Sequence, residues 1–132
     1  MIRVVAGLME RKGHVLICQR CRGSLFELQW EFPGGKLRPG ETPRQGLARE
    51  LREELGSTTQ IGRPIWRTVY RYQEFGSATE ITFFRVAAWS SPPRNLAFER
   101  MVWVRPGNLP KYRFLAADNE MVARLARKAL RA

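Results

Sequence analysis

Residues 34–58 read GGKLRPGETPRQGLARELREELGST, and this stretch decides how the rest of the chain is read. A helix begins at its centre for local reasons. Thr42 accepts an N–H bond as N-cap, Pro43 suits the first helical position, where its missing donor does no harm, and Gln45 completes a capping box. Gly56 ends the helix, because glycine takes the left-handed conformation without penalty. At about 100° per residue, Leu47, Ala48, Leu51 and Leu55 share one apolar stripe that faces a core. Glu50, Glu53 and Glu54 fall on an adjacent stripe at i, i+3 and i+4, with Arg49 and Arg52 expected on the other side.

The plain alternative for these three glutamates is a solvated acidic face. Such faces usually mix signs at i,i+4, and this stripe reads as carboxylate only. Its border with the apolar stripe predicts shielding from water, which raises carboxyl pKa values unless a cation offsets the charge. Hard oxygen donors suit Mg²⁺, which a few carboxylates hold together with waters and substrate phosphates. The turn ahead of the helix, Pro33-Gly34-Gly35, lets the backbone approach a ligand closely. The stretch collects four of the chain's twelve acids, although the net charge is +11.

Outside it, the 132 residues suit one domain spanning 1–132, and 44% are apolar. Met1–Met9 reads as a strand, Arg11-Lys12-Gly13-His14 as a hairpin turn and Val15–Arg20 as the returning strand. A loop starts at Arg22-Gly23-Ser24, and Leu28–Phe32 is apolar and aromatic. Strands are expected over Ile61–Tyr72, Thr79–Trp89 and Met101–Val104. A last helix is expected over Asp118–Ala132, with Met121, Val122, Leu125 and Leu130 on its apolar face. Strands on both sides of the central helix predict a mixed sheet with helices packed on its faces. No apolar run approaches the roughly 18 residues that span a bilayer, and the first residues lack the pattern of a signal peptide, so a cytoplasmic protein is expected. Cys18 and Cys21 have no second pair to complete a metal site, and reduced structural thiols follow. The 23 basic residues are spread along the chain, which suits phosphorylated small molecules and leaves a folded nucleic-acid groove open.

The spacing of Gly35, five residues, Glu41, seven residues and then Arg49-Glu50-Leu51-Arg52-Glu53-Glu54-Leu55-Gly56 resembles the Nudix box. Trp30-Glu31-Phe32-Pro33-Gly34-Gly35-Lys36 is similar to the approach to that box in the MutT branch, which includes 8-oxo-dGTP diphosphatases and pyrimidine nucleotide pyrophosphohydrolases. One position departs: Ser57 stands where the family has an aliphatic residue. The resemblance implies an α/β/α sandwich with a mixed sheet, and hydrolysis of a nucleoside diphosphate linked to another group. For a nucleoside triphosphate the products would be the monophosphate and pyrophosphate. It also implies Mg²⁺, for which Mn²⁺ substitutes, held by Glu53, Glu54, Glu50 and the Gly34 carbonyl. Glu50 is alternatively the base, and Arg49 orients the helix carboxylates. Lys36 and Arg20 are candidates for the phosphates. Glu99 is the best-placed later acid to complete the metal site or act as base, and Glu41 is expected to stabilise the loop.

Leu115-Ala116-Ala117-Asp118-Asn119-Glu120 resembles the MutT-like segment whose Asn or Asp contacts the base edge. Asp118 matches best and Asn119 adjoins it; alternatively Asp118 is only the N-cap of the last helix. An ionised carboxylate accepts hydrogen bonds, so it favours the donors of guanine, 8-oxoguanine or cytosine. Phe83, Phe84, Trp89 and Tyr112 are expected mainly in the core. The readings are an 8-oxo-dGTP sanitising pyrophosphohydrolase, a CTP or modified pyrimidine nucleotide pyrophosphatase, an RNA 5′-triphosphate pyrophosphohydrolase and, outside catalysis, a binding module. Monomer and homodimer are both open.

Overall fold

The computed structural model describes residues 1–131, so the expected end of the last helix at Ala132 and the side chain of Leu130 lie outside the described part. The strands are β1 (Ile2–Leu8), β2 (Glu10–Arg11), β3 (His14–Gln19), β4 (Trp30–Glu31), β5 (Gly34–Lys36), β6 (Thr59–Arg71), β7 (Ala78–Trp89) and β8 (Arg100–Val104). Helix α1 (Pro43–Leu55) follows β5, and α2 (Asn119–Arg131) follows β8 and two 3-10 turns.

The α1 boundaries have the causes expected from the residues. The Thr42 hydroxyl accepts from the Gln45 N–H at 3.2 Å, and Gln45 returns the bond by accepting from the Thr42 N–H at 3.0 Å. Gly56 ends the helix at φ 64, and its N–H donates to the Arg52 carbonyl. Ser57 is fully buried, and its hydroxyl donates to the Ser91 carbonyl at 2.7 Å. The departure from an aliphatic residue is therefore compensated, since a buried hydroxyl is tolerated where it is hydrogen-bonded.

The expected mixed sheet is present, with a second sheet beside it. The mixed sheet has the order β5-β1-β7-β6, in which β1 and β7 run parallel and the other neighbours antiparallel. In the second sheet, β3 pairs antiparallel with β2 and β4 along one edge and with β8 along the other. The early hairpin is thus shorter than the sequence suggests. Lys12 and Gly13, at φ 50 and 76, form its turn, and only Glu10–Arg11 pair with His14 and Val15. The chain passes between sheets at Met9, whose side chain is buried and anchors the crossing. In β6 the register shifts around Pro64, which has no N–H to give a ladder.

Alternating side chains divide the core between two helix layers. Val5, Leu16, Phe84 and Val86 pack with Leu47, Leu51 and Leu55 of α1. Ala6, Val15, Ile17 and Phe83 pack with Met121 and Val122 of α2. The result is the α/β/α sandwich, with the sheets held between helices. Phe83 and Phe84 are both core residues, while Trp89 and Tyr112 are half-buried, Trp89 tilted against Trp103 and Tyr112 edge-on to Trp30. Cys18 and Cys21 are free thiols, and burial holds the Cys18 thiol well above its ordinary pKa.

Leu51 is the sharpest test of the α1 layer, being fully buried and packed so near β1 that a Cβ on Gly7 would stand 3.5 Å from its Cδ1. Leu51→Ala should destabilise the protein by roughly 2–5 kcal/mol. Urea unfolding should show a lower midpoint at an unchanged slope.

Candidate active site

Arg49 is the centre of the site, and its position corrects the placement read from the helical stripes. It does not lie across the helix from the glutamates. Its side chain is buried beneath them, because residues four apart share a face and a guanidinium can reach along it. Nε and Nη2 donate to the two oxygens of Glu41 at 2.6 and 2.9 Å. Nη1 donates to Glu50 at 2.8 Å and Glu53 at 3.2 Å, and Nη2 also donates to the Lys36 carbonyl at 3.1 Å. The paired bonds from Arg49 hold the Glu41 carboxyl down to about 2. Glu41 also accepts from the Arg38 N–H, so it ties the loop before α1 to the helix. The signs on this face are mixed after all.

Two glycines bring the β5 backbone against the carboxylates. A Cβ on Gly35 would stand 2.6–2.8 Å from the Glu50 carboxylate atoms, so only glycine permits the approach. A Cβ on Gly34 would collide with the Val5 carbonyl, and the Gly34 N–H donates to Glu54 at 3.1 Å. Glu54 is nonetheless pushed up to about 9, first by burial and then by the charges of Glu50 and Glu31. Glu53 is the open member, half exposed and also paired with Arg38 at 3.3 Å.

Glu31 is the residue that the sequence reading did not single out. It lies on β4 next to buried Trp30, and burial pushes its carboxyl up to about 7 while Arg20 holds it back. A lone acid inside the aromatic run Trp30-Glu31-Phe32 was the available signal, since an acid buried in such surroundings needs a reason. Arg20 is engaged by Glu31 at 3.3 Å and donates to the Leu25 carbonyl at 2.7 Å.

The remaining expected residues are dispersed around this centre. The Lys36 ammonium stands 5.6 Å from the Phe75 ring centroid. Glu99 is exposed and accepts from the Arg22 N–H at 3.1 Å, and its own N–H donates to the Gln19 carbonyl at the end of β3, so its hydrogen bonds lead away from α1. Asp118 sits in the 3-10 turn Ala116–Asp118 directly before α2, enclosed, and is raised well above its ordinary pKa by burial first and then by Glu31, with the Phe32 N–H partly offsetting. Asn119 starts α2 and is exposed. The turn is fixed to β4 and to the residue after β6: the Trp30 carbonyl accepts from the Leu115 N–H at 2.9 Å, and the Tyr72 hydroxyl accepts from the Ala117 N–H at 2.9 Å.

The model of the NUDIX domain matches residues 1–125. The chain belongs to the Nudix family. It is 34% identical to the CTP pyrophosphohydrolase of Escherichia coli, over 89% of this chain and 86% of that protein. It is 33% identical to the 8-oxo-dGTP diphosphatase of Haemophilus influenzae, over 95% and 91%. Among solved structures, the E. coli ORF135 protein superposes with a TM-score of 0.85 at 34% identity, covering the whole of this chain and 91% of that one. The MutT of Aliivibrio salmonicida and Vibrio cholerae gives 0.78 at 28% identity, covering 96% of each. This chain is thus a Nudix hydrolase, an enzyme family that uses a divalent metal.

The donors here fit such an ion chemically: several hard carboxylate oxygens, with Glu54 and Glu31 held at raised pKa by burial and mutual repulsion. They are not gathered on one point. Among the described residues no three His, Cys, Asp or Glu side chains form a metal-binding group, because Arg49 draws Glu50 and Glu53 one way and Gly34 draws Glu54 the other.

The Arg49–Glu41 pair has a definite pH signature. A carboxyl lowered on folding stabilises fully above its ordinary value of 4.5, and the contribution is lost as pH falls towards about 2. Glu41→Gln should therefore lower the thermal midpoint at pH 7 in EDTA. The gap from wild type should narrow steadily below pH 4.5; a constant gap would show that the pair does not supply it.

Proposed function

We propose that this Nudix hydrolase converts nucleoside triphosphates to the monophosphate and pyrophosphate with Mg²⁺, and that its preferred substrate is 8-oxo-dGTP. The observation that carries the reading is the enclosed acidic cluster of Glu31, Glu50 and Glu54 against the Gly34–Gly35 backbone, in a chain of net charge +11. Mg²⁺, when bound, supplies positive charge to the phosphates and lowers the pKa of a bound water. Glu50, Glu53, Glu54 and the Gly34 carbonyl are its proposed holders, with Mn²⁺ able to replace it. Arg49 is a positioning residue, because it fixes Glu50 and Glu53 through direct bonds. Lys36 is proposed to meet the phosphates. Arg20 would join it by exchanging Glu31 for a phosphate oxygen. Glu50 is also the proposed base, in preference to Glu99, whose bonds lead away from α1.

Asp118 is the proposed base reader, with Asn119 beside it. Burial, then the Glu31 charge, holds the Asp118 carboxyl well above the ordinary range, and its oxygens are hydrogen-bond acceptors. They would take the N1–H and exocyclic amine of a guanine-type base. The names of the relatives support the diphosphatase reading. A second reading has support of its own. The same accepting oxygens would also take the amine of cytosine, and a CTP pyrophosphohydrolase is among the similar proteins.

The test is hydrolysis of 8-oxo-dGTP, dGTP, CTP, 5-methyl-dCTP and a short 5′-triphosphate RNA, with pyrophosphate and monophosphate quantified. The expected result is highest kcat/KM for 8-oxo-dGTP, with no turnover in EDTA. Glu53→Gln should lower kcat by at least about a hundredfold. Asp118→Ala should raise KM for 8-oxo-dGTP far more than it lowers kcat. Highest kcat/KM for CTP or 5-methyl-dCTP would select the second reading.

A further inference from the structure

A cleft of about 940 Å³ lies between α2 and the strands β6 and β7, away from the carboxylates. Its walls carry Arg63 from β6, Arg85 from β7 and Arg124, Arg127 and Lys128 from α2, all exposed. Glu10 is the single acid on its lining. Among the described residues none of these five cations is in an ion pair, whereas Arg3, Arg20, Arg38, Arg49 and Arg67 all are. Arg124 alone is partly committed, lying 3.8 Å from the Trp66 ring centroid.

Like charges gathered without counter-charges repel, so such a wall is stabilised by a polyanion. The base of the cleft is apolar: Leu8, Ile65, Met121 and Leu125 line it, and the half-buried indole of Trp89 stands at its side. The cleft runs along α2 away from the turn that carries Asp118. Asp118 precedes the first turn of α2, and Arg127 lies nine residues further on, roughly 13 Å along the axis at 1.5 Å per residue.

We propose that this cleft binds a single-stranded nucleic acid, with phosphates on the five cations and bases over the apolar strip and Trp89. Charge complementarity selects a polyanion, and the apolar strip selects a single strand. A duplex stacks its bases inside and would use the charge alone, whereas a single strand presents both its backbone and its base faces. The site takes no part in the proposed hydrolysis. It accounts for basic residues that a nucleoside triphosphate would not reach.

The experiment is fluorescence anisotropy with a 5′-fluorescein decadeoxythymidylate that carries no triphosphate, in EDTA, across a salt series. The comparison is between Arg85→Ala/Arg127→Ala/Lys128→Ala and a charge-matched control, Arg22→Ala/Arg71→Ala/Arg113→Ala. The cleft variant should bind about tenfold or more weakly at low salt. Its log–log salt slope should fall by about 2, since each phosphate contact to a single strand contributes roughly 0.7. The control should stay within about threefold of wild type. An equal loss in both variants, or no binding by wild type at low salt, would overturn the proposal. Circular dichroism and nucleotide hydrolysis by the cleft variant should match wild type, which separates lost binding from lost folding. These readouts stand or fall independently of which nucleotide is hydrolysed.

Discussion

Arg49 donates five hydrogen bonds from one buried guanidinium, to three carboxylates and a carbonyl. The rest of the site depends on this arrangement. Glu50, Glu53 and Glu54 occupy the C-terminal part of α1, where the helix dipole disfavours negative charge. Burial and mutual repulsion disfavour it too, and these two displace Glu54 to about 9. A planar, permanently charged fork is the one side chain that can take Glu41 with two bonds and still reach Glu50 and Glu53. Lysine would supply the charge without the geometry. The Arg49–Glu41 pair also fixes the loop before α1 and, through the Lys36 carbonyl, the end of β5. The helix and the glycine strand are thereby held at one distance.

That distance matters because the carboxylates are met by backbone. Gly34 and Gly35 bring β5 against Glu54 and Glu50 at separations no Cβ allows. Glu31 then enters from β4, in the other sheet, and Asp118 from the turn ahead of α2. Three separate elements thus converge on one region of low polarity. Each added acid raises the others, as the Glu31 charge does for both Glu54 and Asp118. The site stores unfavourable charge that a cation and a polyphosphate bound together would offset. The surrounding basic surface has the opposite sign, which draws such a substrate in.

The α1 boundaries, its apolar stripe and the order of strands and helices were legible because their causes are local. Thr42, Pro43, Gln45 and Gly56 act within one turn of the helix they bound, and the Lys12-Gly13 turn needs only its own backbone. Glu50, Glu53 and Glu54 stand together through spacing alone. The side of the helix taken by Arg49 was misread, because Cα geometry places a residue's origin while a long side chain places its charge. Ser57 departs from the aliphatic residue of the family, and the partner that compensates it, the Ser91 carbonyl, comes from 34 residues away.

By itself, then, the sequence determined the family pattern, together with the central helix, its caps and the clustering of three carboxylates, and these last are set by neighbours within about one or two turns. Only the tertiary structure decided that the strands divide into two sheets at Met9. It alone decided that Glu31 joins the acidic cluster, that Asp118 is enclosed within a turn, and that five scattered cations line one cleft. The physical reason is the same in each case. Burial and long-range charge depend on which distant segments the fold brings together, and no local spacing encodes that.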